Sequence, residues 1–153
     1  MSLLPRRTLR RALSQAIVGA LVASSATLIP TAEAMTQQTR TQLLNVAASK
    51  RGAPYRYGAT GPRAFDCSGY TRWVFARVGK RLPRTSRAQA RFARPVSRSH
   101  RRSGDLVFFS SHRRVYHVGI YAGGNAIWHA PGTGGRVHRQ RLWTTRVSYG
   151  RVR

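Results

Sequence analysis

Cys67 is the only cysteine in a chain of 153 residues, and it stands in Phe65-Asp66-Cys67-Ser68-Gly69, at the head of an amphipathic run. A lone cysteine is a small buried residue, half of an intermolecular bridge, or a reactive thiol. The thiolate is the reactive form, and an ordinary thiol ionises near about 8.5. A helix N-terminus carries partial positive charge that lowers this value, and a nearby histidine supplies a proton relay. Five histidines are available: His100, His112, His117, His129 and His138. His117 and His129 fall in β-rich runs on either side of Gly123-Gly124, so they read as partners across a hairpin. A three-residue loop, Ala122-Gly123-Gly124, would set His117 opposite His129 on one face and send Val118 and Ile120 to the other. The other three histidines lie among arginines and read as solvated. A metal site from Cys67, His117 and His129 is disfavoured, because no closely spaced ligand pair supports it. No cofactor is expected.

Two kinds of element must bring these residues together. Thr36 to Arg51 reads as a helix with Leu43, Leu44 and Ala47 on one stripe and Gly52 as its stop. Residues 52–65 are rich in glycine and proline and read as a loop. Ser68 to Val78 is a second helix, with Tyr70, Trp73, Val74 and Val78 at helical spacing. Asp66 is placed to cap it. Residues 82–93 give a short basic helix capped by Thr85 or Ser86, and 97–103 a basic loop. The pattern then becomes β: 105–109, 117–122 and 125–130, with two further strands within 136–143 and 145–153. Helices first and antiparallel strands after is the α+β pattern, in one domain.

Residues 1–34 read as a cleaved export signal. Arg6, Arg7, Arg10 and Arg11 precede an apolar stretch, and Ala32-Glu33-Ala34 is a cleavage pattern. The stretch is broken by Gln15, Gly19, Ser24, Ser25 and Thr27, too polar for a span of ~20 apolar residues. The remaining chain, 35–153, therefore has no stable membrane span to predict. The full chain carries a net charge of +25. Setting aside the four signal arginines and Glu33 leaves 24 basic and 2 acidic side chains, of which only Lys50 and Lys80 are lysine. Such a charge needs an anionic counterpart. The arginines are spread from Arg40 to Arg153, which fits general adhesion to a polyanion better than a shaped groove, and export argues against specific nucleic acid.

The segments Gly52-Ala53-Pro54-Tyr55-Arg56-Tyr57-Gly58, Asp66-Cys67-Ser68-Gly69, Leu82-Pro83-Arg84-Thr85-Ser86 with Gln89, Gly104-Asp105-Leu106-Val107-Phe108-Phe109, His117-Val118-Gly119-Ile120-Tyr121 and Ile127-Trp128-His129-Ala130-Pro131 follow one another in order. In this order and spacing the chain resembles the NlpC-type cysteine peptidases of bacterial cell walls. The resemblance implies a papain-like core, with a nucleophile at a helix N-terminus packed on an antiparallel sheet. It implies Cys67 as nucleophile, His117 as base and His129 as the group that orients the base. It further implies Tyr55 near the oxyanion or substrate, and Asp66 and Ser68 at the free amino end of a peptidoglycan stem peptide. The bond cut in that family is usually γ-D-glutamyl to meso-diaminopimelate. The chain departs from the family's usual pattern at Tyr57-Gly58-Ala59 and at Ser103 before Gly104-Asp105. The expected activity is a secreted thiol endopeptidase of the cell wall, whose arginines hold it to anionic wall polymers. The alternatives are a silent wall-binding module, a cationic nucleic-acid or antimicrobial protein, and a papain-like amidase or acyltransferase.

Asp66 and Asp105 are the only acids after residue 34. Asp105 reads as a structural loop residue, whereas Asp66 is divided between capping the helix and binding substrate. Tyr57 and Trp128 are candidates for the groove, though Trp128 reads better as core packing.

Overall fold

The computed structural model describes residues 35–153. The expected export signal lies outside the described residues. Among the described residues three α-helices, α1 (Gln37–Ser49), α2 (Cys67–Ala76) and α3 (Ser86–Phe92), precede the sheet. Six strands follow: β1 (Arg94–Val96), β2 (Leu106–Ser111), β3 (Arg114–Gly123), β4 (Ala126–His129), β5 (His138–Arg141) and β6 (Val147–Arg151). They form one sheet in the order β1-β6-β2-β3-β4-β5, and every pair is antiparallel. This is the α+β architecture expected. None of the described helices is long and apolar enough to cross a membrane.

Local chemistry starts each helix. Thr36, Asp66 and Thr85 cap α1, α2 and α3, each with its side chain accepting from the backbone N–H three residues on. One face of the sheet carries Leu106, Phe108, Val118, Ile120 and Trp128, which pack with Leu43, Phe65, Tyr70, Val74 and Phe75 into the main core. Burying each such side chain contributes about 1.5–3 kcal/mol. The Tyr70 hydroxyl donates to the Ala47 carbonyl at 2.8 Å and ties α2 to α1. Gln89, fully buried, accepts from Thr71 and donates to the carbonyls of Ser68 and Pro83, so α3 is stapled to the start of α2. The opposite face carries Val107, Phe109, Tyr121, Ile127 and Tyr149 as a smaller apolar cluster.

The structure departs from the expected elements at three places. Residues 94–96 form an edge strand paired with β6, which the arginine and proline in that stretch hide. The expected basic loop at 97–103 contains a short 3-10 turn, Arg98–His100. The β3–β4 hairpin also differs in register. Its turn is Gly124-Asn125, both at positive φ, the two-residue geometry that matches strand twist. The pairing then shifts between Tyr121 and Gly123. This one-residue irregularity restores the parity that a two-residue turn alone would have broken. His117 and His129 therefore share a face as expected, but diagonally. Gly119 lies across from His129: a Cβ added there would sit 3.3 Å from the His129 Cβ and 2.9 Å from Ile127 Cδ1. A side chain at 119 would block the approach of the two histidines.

Candidate active site

Cys67 is the first residue of α2, and its position is set by the loop before it. Asp66 N–H donates to the Ala59 carbonyl at 2.9 Å, Phe65 N–H to the Pro54 carbonyl and Arg56 N–H to the Phe65 carbonyl across the same loop. Gly69 is required here, because a Cβ would lie 2.2 Å from the Ala59 oxygen. α2 thus lies close enough to the loop for Tyr55 and Cys67 to open on one cavity. That cavity, of about 390 Å³, is lined by Tyr55, Cys67, Tyr116, His117, His129, Pro131, Gln140 and Trp143. A second one, of about 380 Å³, shares Tyr55, Cys67 and Tyr116 and adds Tyr57, Gly58, Asp66, Ser68, Arg84, Thr85 and Ser86. All six candidate site residues, Tyr55, Asp66, Cys67, Ser68, His117 and His129, therefore meet in two adjoining cavities.

The two histidines are joined, with His117 Nε2 2.8 Å from His129 Nδ1 and the rings nearly perpendicular. An aromatic wall covers them. Trp143 stacks on Phe109 at 4.4 Å, and its ring centre lies 5.5 Å from His129 and 6.3 Å from His117. Burial disfavours the imidazolium, so His117 is pushed down to about 4. His129 falls to about 3 through burial, then through the neighbouring His117 and His138. Both rings are neutral at pH 7.

The Cys67 thiol moves in the direction opposite to the expectation from its helix position. Burial raises its pKa and Asp66 adds to this, while backbone N–H groups of Val118, Ser68 and Cys67 itself oppose them. Asp66, as the cap, neutralises the charged helix end that was expected to favour the thiolate. The cavity is thus lined by a protonated thiol and two neutral imidazoles. Tyr55 is raised chiefly by burial, then by Cys67 and Asp66, so its hydroxyl keeps its proton and can donate.

Asp66 is 7% exposed and almost fully engaged. Its Oδ1 accepts from Gly69 N–H at 2.6 Å, its Oδ2 from Gly58 N–H at 3.1 Å, and Arg84 grips both oxygens. Burial pushes this carboxyl up, but Arg84 and the Gly69 and Gly58 N–H groups outweigh it and hold the carboxyl below its ordinary range. Arg84 also donates to Ser68 Oγ at 3.0 Å. Tyr57, 88% exposed, stands at the rim, whereas Trp128 is packed in the main core with Arg51 over its ring.

Sequence reasoning passed over Arg84, Tyr116, Gln140 and Trp143 as site residues. His138 also departs from its solvated reading, since it is half-buried and bonded to Gln140 and to the Arg136 carbonyl.

Comparison with known proteins agrees with this geometry. A probable endopeptidase of Corynebacterium glutamicum is 50% identical over 88 residues, which are 58% of this chain and 41% of that protein. The probable endopeptidase p60 of Listeria monocytogenes is 42% identical over 104 residues, 66% of this chain and 22% of p60. The chain thus spans less than half the length of these relatives. The crystal structure of the NlpC/p60 domain of the peptidoglycan hydrolase SagA superposes with a TM-score of 0.68 at 30% identity, covering 74% of this chain and 98% of that domain. The model of the NlpC/P60 family matches residues 52–151, and the chain belongs to that family.

Proposed function

We propose that this chain is a secreted peptidoglycan endopeptidase that hydrolyses stem peptides through Cys67, His117 and His129. The observation that carries the reading is the opening of the Cys67 thiol and the joined histidine pair onto one cavity. The relatives named as endopeptidases and the likeness to a peptidoglycan hydrolase domain support it. His117 takes the Cys67 proton as sulfur attacks the amide carbonyl. The Cys67 N–H and the Tyr55 hydroxyl stabilise the oxyanion. The C–N bond then breaks, the amine leaves with the proton from His117, and an acyl thioester remains on Cys67. Water, deprotonated by His117, releases the acid and regenerates the thiol. His129 orients His117 throughout.

The adjoining cavity takes the free amino end of the stem peptide beside Asp66 and Ser68, and the bond cut is γ-D-glutamyl to meso-diaminopimelate. Because Arg84 already holds Asp66, an ammonium there must share the carboxylate with it. No cofactor takes part. The spread arginines hold the enzyme to anionic wall polymers, an attraction that salt weakens over a screening length of about 8 Å at physiological ionic strength. The segment 1–34 directs export and is removed.

The test is a digest of diaminopimelate-type muropeptides by the parent chain and its Cys67→Ala variant, with products identified by mass. A diaminopimelate-containing fragment released by the parent alone supports the reading and locates the bond. Retained binding to wall sacculi without cleavage by either would favour the silent wall-binding module.

A further inference from the structure

Four polar side chains stand on the face of the sheet that carries the candidate base: His117 on β3, His129 on β4, and Gln140 and His138 on β5. They form a line of short contacts. His117 Nε2 lies 2.8 Å from His129 Nδ1, and His129 Nε2 lies 2.9 Å from Gln140 Oε1. A neutral imidazole has one N–H and one lone pair. Each link therefore holds a single proton, and the direction of one link dictates the next. With the amide oxygen turned toward His129, Oε1 can only accept, and His129 then donates to it from Nε2. His129 Nδ1 is then a lone pair and accepts from His117 Nε2–H. His117 Nδ1 is left bare, and this is the ring nitrogen not committed to His129. Reversing the chain would put the proton on His117 Nδ1, where it could not accept one from a thiol, and would face two lone pairs across the His129–Gln140 link.

The amide has a competitor. His138 Nε2 lies 3.1 Å from the same oxygen, and His138 Nδ1 lies 2.7 Å from the Arg136 carbonyl. A neutral His138 donating to Arg136 presents a lone pair to Gln140 and favours the amide turned with its NH₂ inward. That orientation reverses the whole line. The amide's orientation, and not merely its presence, is therefore what matters.

We propose that Gln140 is a positioning residue for the thiol reaction, whose amide oxygen fixes the proton direction through His129 and leaves His117 Nδ1 free to act as the base. This rests on the reading of Cys67 and His117 given above. The equivalent effect in other thiol and serine hydrolases comes from the residue that holds the base in its working tautomer. Here that control passes through one more side chain.

The test uses the full chain and four variants: Gln140→Leu, Gln140→Glu, His138→Phe and Cys67→Ala. Nitrogen-15 NMR of the imidazoles at pH 7 reads the tautomers directly and needs no activity. The parent is expected to show His117 protonated on Nε2 and bare on Nδ1. Muropeptide cleavage by Gln140→Leu is expected to lose at least about tenfold in kcat, with KM and melting temperature close to the parent's. Gln140→Glu, which can only accept, restores both rate and tautomer, and His138→Phe keeps them. A proton on Nδ1 of His117 in the parent overturns the proposal even if Gln140→Leu fails to fold. So does a Gln140→Leu variant with parental kcat, or a Gln140→Glu variant as slow as Gln140→Leu, or a loss in His138→Phe equal to that in Gln140→Leu. Failure of the underlying reading has a different signature, parental cleavage by Cys67→Ala.

Discussion

The two carboxylates of residues 35–153 are held by arginines in different ways. Asp105 is fully buried and closed off. Its oxygens accept from Arg151 Nε and Nη2 at 2.9 and 2.8 Å and from Arg102 N–H at 2.7 Å, and Arg40, itself buried, stands 3.5 Å away. Arg40 donates also to the Ser103 carbonyl. This cluster joins α1, the 103–105 turn and β6, and none of the candidate site residues takes part. Asp66 is gripped by one arginine whose side chain is a third exposed, and its cluster forms one wall of a cavity beside Cys67. Both clusters hold elements together, but only the Asp66 cluster walls a cavity that Cys67 also lines. In a chain this basic, the few acids stand where a negative charge is needed at a fixed place.

The largest effect that would sharpen this contrast is expected from Asp105→Asn. Arg40 and Arg151 would lose their counter-charge, and removing one partner of a buried pair costs about 3–5 kcal/mol. Urea unfolding should show this loss, or a failure to fold. A change under 1 kcal/mol would mean that Asp105 is not the structural anchor described.

Acid should act next, on the site. His117 and His129 have folded pKa values depressed to about 4 and about 3, below the ordinary 6.5. Their contribution to stability is fully present above pH 6.5 and is lost as pH falls toward 4, where the unfolded chain binds protons that the folded chain excludes. Each depressed histidine contributes about 3 kcal/mol over that window, at about 1.4 kcal/mol per pH unit of displacement. Urea midpoints at pH 7 and pH 4.5 measure it, and His117→Phe should flatten the slope. An unchanged midpoint in the parent would contradict the neutral, buried pair.

Arg84→Met should have the smallest effect on stability, about 1 kcal/mol or less, because the pair is partly exposed and Asp66 keeps Gly58 and Gly69. Its effect should fall on substrate instead, raising KM for muropeptides about tenfold with kcat less affected. A large loss of stability with unchanged KM would make Asp66 and Asp105 alike and erase the distinction.

What the sequence made legible was local. Asp66 and Thr85 as caps depend on neighbours within four residues. The shared face of His117 and His129 follows from strand alternation with a three-residue loop, and the fold reaches it instead by a two-residue turn and a one-residue shift in pairing. Their diagonal offset was not legible, because it comes from an irregularity beside Ala122 that no residue type announces. Arg84, Gln140 and Trp143 were hidden for another reason: each acts on residues eleven or more positions away, through contacts made only when the sheet and helices close. The direction of the Cys67 shift was missed because it is a competition between burial, the Asp66 charge and several N–H groups, and sequence displays only the helix end. Glycines 69 and 119 carried a signal within their motifs whose reason, close backbone approach, became visible in the fold.

The central claim is that Cys67 and His117 act as one catalytic unit. The most direct measurement is the rate of muropeptide cleavage by the parent, Cys67→Ala and His117→Ala chains at pH 7, with melting temperatures taken in parallel. The account predicts that both variants remain folded and both lose at least about a hundredfold in kcat. Cleavage by either variant at close to the parental rate would contradict it.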